Sequence, residues 1–312
     1  SIQLKIIFLT TFLLLIKCKS NISINEQLGY EKNDILIIVN ADDVGMHQDI
    51  TDGIYKTMEY GICKSASIMV PCPDFYRAIS LWEKKPEFEL GIHLTLTVTS
   101  KKEKTKVYNW KPILPISQVP SLYNQEGYMW HNVNSLLQNV NINEALMELE
   151  AQIEKFLATG LSPTHLNGHM SCYSYNSELL KGVLELSKKY NIPIRPKRVK
   201  FTWLPNYKNK YTQDGLVFTN SVKFFYNIEG ENEDPYIRKM RYYNYLKQLK
   251  PGIHEIGIHP GYVNAPILKE FLDNPNIQLN DLSIWSSKET KELINKLNIK
   301  VVGHSELQKL QA

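Results

Sequence analysis

The sequence predicts a single α/β domain in which parallel strands curl into a barrel with helices on the outside. Three observations predict it. Short β-rich runs alternate with helical patterns along the chain, and strands that alternate with helices pair in parallel. Several of the runs are apolar without a break, as strands buried on both faces are. The acids and histidines fall where those runs end, which is the edge at which α/β barrels build their sites. The 312 residues are 43% hydrophobic and 22% charged, an ordinary globular composition.

Residues 1–20 are set apart from the fold. Lys5 precedes the apolar run Ile6 to Ile16, and Ser20 and Asn21 follow. Such a run is short for a bilayer span and suited to the core of a secretion signal. The expected location is therefore secreted or in the cell envelope (periplasm), with no transmembrane helix in the mature chain. Cys18 closes the run where an exported bacterial protein can carry a lipid anchor, although Lys17 before it fits such a site poorly. Loss of Lys5, Lys17 and Lys19 leaves 33 basic against 32 acidic residues. With no long basic run, neither a nucleic acid nor an anionic membrane is an expected partner. Cys63, Cys72 and Cys172 are scattered and odd in number, so no disulfide framework is expected and stability rests on a large core. The oligomeric state is open, a homodimer included.

The domain then runs over residues 21–312. Ile35–Val39 is the first strand. Ile50, Ile54 and Met58 recur at helical spacing, and Gly61 stops that helix. Ala66–Val70 is a second strand, and Phe75, Ala78, Ile79 and Trp82 form a helical stripe ending before Pro86. Leu90–Leu96 is a strand again. Residues 100–135 read as a long irregular loop, the kind that tends to carry function. Ala145, Leu149, Ile153 and Phe156 mark an amphipathic helix with Asn143 as its cap. His165–Asn167 is a short strand, and Leu179 to Leu186 a helix with Asn191 as its left-handed stop. Ile192–Arg195 reads as a strand, and 199–246 as a second irregular region rich in aromatics. Ile253–Ile258, the helix Lys288–Leu297 and the strand Ile299–Val302 complete the order.

Four strand ends carry chemistry. Val39-Asn40-Ala41-Asp42-Asp43-Val44-Gly45 puts two acids where the chain leaves the first strand, so that one can bind a metal while the other acts as a base; alternatively, either one caps the next helix. His93 lies in Gly91-Ile92-His93-Leu94-Thr95-Leu96-Thr97 with Thr95 and Thr97 on its own face. His165 and His169 flank the exit Leu166-Asn167-Gly168, and His259 stands before the sharp turn Pro260-Gly261. Asp43, His93 and His169 would together make a two-histidine, one-carboxylate set with open positions, which suits a catalytic metal. Trp110, Tyr128, Trp130 and Trp203 could stack on sugar rings, though singly each is more readily explained by packing.

These segments, with Ser65-Ala66-Ser67-Ile68-Met69-Val70-Pro71 and the turn His259-Pro260-Gly261-Tyr262, resemble the YdjC-like (ChbG-type) carbohydrate deacetylases. They occur in that family's order from about Asp34 onward. The resemblance implies a distorted (β/α) TIM-like barrel akin to polysaccharide deacetylases, with one divalent metal ion, zinc or magnesium, at its mouth. It implies Asp43, His93 and His169 as metal ligands, Asp42 as general base and His259 as general acid. The implied reaction removes an N-acetyl group from an amino sugar or chito-oligosaccharide and releases acetate. A metal hydrolase acting on another glycan amide or ester, and a non-catalytic carbohydrate-binding protein on the same scaffold, are the rival readings. Two places depart from the family: Asn167 stands where its members usually carry Asp, and Ser171-Cys172-Tyr173 after Met170 is unlike their commoner continuation.

Overall fold

Ile35–Val44 forms strand β1, buried throughout after its first residue; the apolar run Ile35–Val39 predicts its first half, and the strand continues through both acids. This computed structural model describes residues 22–98, 108–195, 207–226 and 234–311. The expected signal segment 1–20 with Cys18 lies outside the described residues, as does Trp203. Six more strands follow: β2 (Ser65–Ile68), β3 (Glu89–Leu94), β4 (Leu166–Gly168), β5 (Ser221–Phe224), β6 (Gly252–Ile258) and β7 (Ile299–Val302). All pairings are parallel, in the order β4-β3-β2-β1-β6-β5, with β7 also on β1. The expected curled parallel α/β barrel is what the chain forms.

The distortion of that barrel is visible in the register of β1. One flank pairs with β6 along most of its length, Ile35 opposite Gly252 through Ala41 opposite Ile258. The other flank is divided. Ile35–Ile38 pair with β7, whereas Asn40–Val44 pair with β2. Strand β7 is thus a wedge between the lower ends of β1 and β2.

Period-two alternation aims Asn40, Asp42, Ser65, Ser67, His93, Asn167 and Glu255 into the barrel, and all are buried. Two inward positions are glycines because a neighbouring ring takes their space. A Cβ at Gly91 would lie 2.3 Å from the His165 ring, and one at Gly257 would lie 2.0 Å from the Phe224 ring.

Between the strands the chain forms helices α1 (Gln48–Tyr60), α2 (Phe75–Trp82), α3 (Val133–Asn139), α4 (Ile142–Leu157), α5 (Ser177–Tyr190), α6 (Pro235–Gln248), α7 (Asn276–Trp285) and α8 (Lys288–Lys296), of which α1 packs on β1, α4 on β3 and α8 on β7. Gly61 ends α1 as expected, though with φ −91°: a side chain there would strike the Thr57 and Trp285 carbonyl oxygens. Asn191 ends α5 in the left-handed conformation, as read from the sequence. The cap of α4 is Asn141 rather than Asn143, because the Asn141 side chain accepts from the backbone N–H groups of Asn143 and Glu144.

Ile192–Arg195 is not a full strand. It makes a single bridge, Leu166 to Ile194, held by two backbone hydrogen bonds. The region expected to be irregular over 199–246 contains β5 and α6. Strand β5 lacks an apolar run because it is an edge strand, half-exposed at most positions. Helix α6 buries Arg238, Tyr242, Tyr243 and Leu246, a stripe with polar heads that aliphatic periodicity misses. Cys63, Cys72 and Cys172 are buried free thiols. Among the described residues no helix is long and apolar enough to cross a membrane.

Candidate metal centre

Adjacent residues of an extended strand point to opposite faces, so two neighbouring acids need a backbone irregularity to share a site. Asp43 supplies it with φ 79°, in the left-handed region, and the pairing of β1 with β2 slips between Ala41 and Val44. Both carboxylates thereby reach the barrel mouth. Such a conformation is costly for a non-glycine residue and tends to be kept where function needs it.

His93 Nε2 lies 3.3 Å and His169 Nδ1 3.2 Å from the same oxygen, Asp43 Oδ1. The three residues are buried, and their donor atoms all lie within 4.8 Å of one another. His169 leaves β4 just before Met170 and Ser171, whose φ values of 51° and 55° turn the chain sharply. Trp110 packs edge-on to the His169 ring at 6.2 Å and forms a wall behind it. The exit of β3 is held from α4, where Gln152 accepts from Thr95 N–H and donates to Thr95 O. Two imidazole nitrogens and one carboxylate oxygen converging in a buried pocket fit one divalent ion with open coordination positions.

Burial would raise the Asp43 carboxyl, but His169 and His93 override it and hold it well below the carboxylate range. Burial likewise opposes a proton on His93, yet the Asp42 and Asp43 charges raise its pKa. On His169 burial wins, and its pKa is lowered.

Asn167 meets His93 from behind, at 2.6 Å from Nδ1. With its oxygen toward the ring, its amide donates to Ser67 Oγ and Asp42 Oδ1. With the amide turned over, its nitrogen faces the ring and its oxygen accepts from Arg195. A metal on Nε2 requires the ring proton on Nδ1, and hence the first sense.

Asp42 is anchored rather than free. Arg195 donates to Oδ2 through Nη1 at 2.7 Å and to Oδ1 through Nη2 at 2.9 Å. Asn40 Nδ2 and Ser67 Oγ also donate to Oδ1, at 2.7 and 3.2 Å. Burial alone would raise this carboxyl; the Arg195 guanidinium, with His93 and His259, holds it far below the usual range. Arg195 donates from Nε to Glu255 as well, so one buried cation serves two buried carboxylates. A second route joins the same two acids. His304 lies 3.4 Å from Glu255 and 2.8 Å from Ser65 Oγ, Ser65 donates to Asn40, and Asn40 donates to Asp42.

His259 leaves β6 half-buried. Its backbone N–H donates to Asp281 Oδ2 at 2.9 Å. Asp281 on α7 is itself held by Arg238 and Tyr242 of α6. The ring sits 6.2 Å from Phe224 and 6.3 Å from Tyr226, and it acts electrostatically on Asp42 and His169.

The five residues singled out in the sequence are therefore brought to one mouth. His165 is not part of it; its ring stacks on His304 at 3.6 Å on the barrel floor. Of the aromatics, Trp110 is buried as a wall, and Trp130 donates its indole N–H to Ser121 O within the long loop. Arg195, Glu255, Asn40, Ser67 and Asp281 are not evident from sequence reasoning. Arg195 carries a usable signal, a polar residue at the end of an apolar run. Glu255 carries another, an acid inside one.

The model of the YdjC-like protein family matches residues 36–296. A carbohydrate deacetylase of Enterococcus faecalis is 28% identical over 275 residues, covering 87% of this chain and 97% of its own. One from Thermoanaerobacter pseudethanolicus is 27% identical over 272 residues, with 87% and 99% covered. Among solved structures, an Enterococcus faecalis protein assigned provisionally to cellobiose-phosphate cleavage superposes with a TM-score of 0.73 at 26% identity. That match covers 88% of this chain and 99% of the other.

Proposed function

Since the chain belongs to the YdjC-like family, we propose that it is a carbohydrate deacetylase that hydrolyses the acetamide of an N-acetylated sugar or chito-oligosaccharide and depends on one divalent metal. The observation that carries this reading is the convergence of Asp43, His93 and His169 beside Asp42 and His259. The names of the relatives support the substrate class.

Asp43, His93 and His169 would hold the ion, zinc by ligand softness or magnesium with water completing the shell. When bound, it supplies Lewis acidity that polarises the acetyl carbonyl and acidifies water. The remaining chemistry is a proton relay. Asp42 stays ionised at neutral pH and takes a proton at Oδ2, the oxygen that among the described residues accepts only from Arg195. His259 returns a proton to the sugar nitrogen, because an amine anion is a very poor leaving group. Trp110 keeps water from the far side of His169.

Acetate release from N,N′-diacetylchitobiose, with and without chelator, tests the reading. Release that stops with chelator and returns with zinc or magnesium is the expected outcome. No release from any N-acetylated glycan would favour a binding protein. Asp42→Asn should abolish turnover with metal content intact, whereas loss of metal would move Asp42 into the ligand set. His259→Ala should slow turnover without loss of metal, and an unchanged rate removes it from the relay. We further propose export to the envelope or medium, a reading that the apolar run Ile6 to Ile16 after Lys5 supports. Mature N-terminal sequencing of secreted protein checks this, and a retained leader argues against it.

A further inference from the structure

The open side of the barrel lies between the outer strands β4 and β5. A tyrosine stands on the segment that follows each. Tyr175 ends the turn after β4 and is 46% exposed; Tyr226 lies two residues beyond β5 and is 56% exposed. An aromatic ring left open beside the candidate metal centre offers a flat apolar face to a ligand.

Tyr226 is held there by a stack. Gly257 on β6 lacks a side chain, so the Phe224 ring folds flat over the β6 backbone. One face of Phe224 covers the Arg195 guanidinium at 5.2 Å. Tyr226 stacks on Phe224 with centroids 5.6 Å apart and planes 11° from parallel. Phe225 points the other way, into Tyr242 and Tyr245, which fixes the alternation that keeps Tyr226 on the site side. The Tyr226 ring is also tilted at 45° against His259. An exposed, pre-oriented aromatic face thus adjoins His259, one of the two proposed proton carriers.

We propose that Tyr226 is the platform on which a pyranose ring of the substrate stacks, so that its ring face selects a sugar acetamide over other amides. The inference rests on the deacetylase reading and adds the residue that recognises the sugar. The hydrophobic C–H face of a pyranose packs on an aromatic ring, while its hydroxyls stay in water at the rim. The ring face is what matters here, and the phenol hydroxyl is dispensable.

The test uses the full chain with its metal, and Tyr226→Ala, Tyr226→Phe and Tyr226→Trp. For N,N′-diacetylchitobiose, Tyr226→Ala should raise KM roughly ten-fold or more with kcat within about two-fold, and Phe and Trp should stay near wild type. Calorimetric affinity for chitobiose should fall by the same factor in Tyr226→Ala. An unchanged KM in Tyr226→Ala, or a Tyr226→Phe variant as impaired as Tyr226→Ala, overturns the platform. If wild type releases no acetate, the deacetylase reading fails separately and calorimetry decides alone. Chitobiose binding that is equal in wild type and Tyr226→Ala, or absent from both, then refutes the proposal.

Discussion

Asn167 reaches His93, Ser67 and Asp42 at once, so its chemistry acts on both halves of the site. A carboxylate there would accept from His93 Nδ1 whichever way it turned and would make the ring a stronger donor. Asn167→Asp should therefore tighten metal binding by roughly ten-fold in a chelator competition, the scale typical of outer partners of metal ligands. Weaker binding would mean that repulsion from Asp42 outweighs the gain. His165 tests the barrel floor through pH. Burial, then the charges of His304, Arg195 and His93, hold its pKa well below the ordinary 6.5. The unfolded chain therefore takes up this proton first. Stability from the neutral ring is complete above that value and declines as pH falls below it. The melting temperature should drop from pH 7 to pH 5, and His165→Asn should flatten the drop. Equal slopes in the two proteins would assign it to another group. Asp43, His93 and His169 were legible because strand ends act locally. Arg195 was not: its partners Glu255 and Asp42 lie 60 and 153 positions away, and no local pattern records that approach.

Helix α1 and the turn after β6 illustrate how elements place a side chain they do not contain. Asp49 accepts from Asn264 and Ala265 N–H through Oδ2 and from Tyr262 N–H through its backbone oxygen. Gly53 brings the helix so close that a Cβ would lie 2.5 Å from Gly261 Cα. Gly53→Ala should force the His259 turn away from α1 and cost about 1–3 kcal/mol by overpacking. Urea unfolding measures the cost, and wild-type stability would show that the turn yields freely. The apolar runs of β1, β3 and β6 were readable because burial on both faces leaves one kind of residue. Strand β5 and helix α6 were hidden, since an edge strand keeps polar residues and α6 buries an arginine and two tyrosines.

Across the whole molecule, Arg195 acts as a clasp. It comes from the segment bridged to β4, at one edge of the sheet, and grips Asp42 on β1 and Glu255 on β6. Its removal leaves two buried carboxylates without a cation, so Arg195→Met should lower stability by about 3–5 kcal/mol. Arg195→Lys should not restore it, because a single ammonium cannot reproduce the forked geometry. Full recovery in the Lys variant would show that charge alone is needed. The wedge formed by β7 has a different consequence, one of time. The strand bearing both acids keeps an unpaired flank at Ile35–Ile38 until residues 299–302 exist. On the ribosome that flank therefore stays open until β7 has emerged, long after β1 itself, as long-range pairings do. The strand that bears both acids is in this way completed late, and the nascent chain keeps that flank open in the interval.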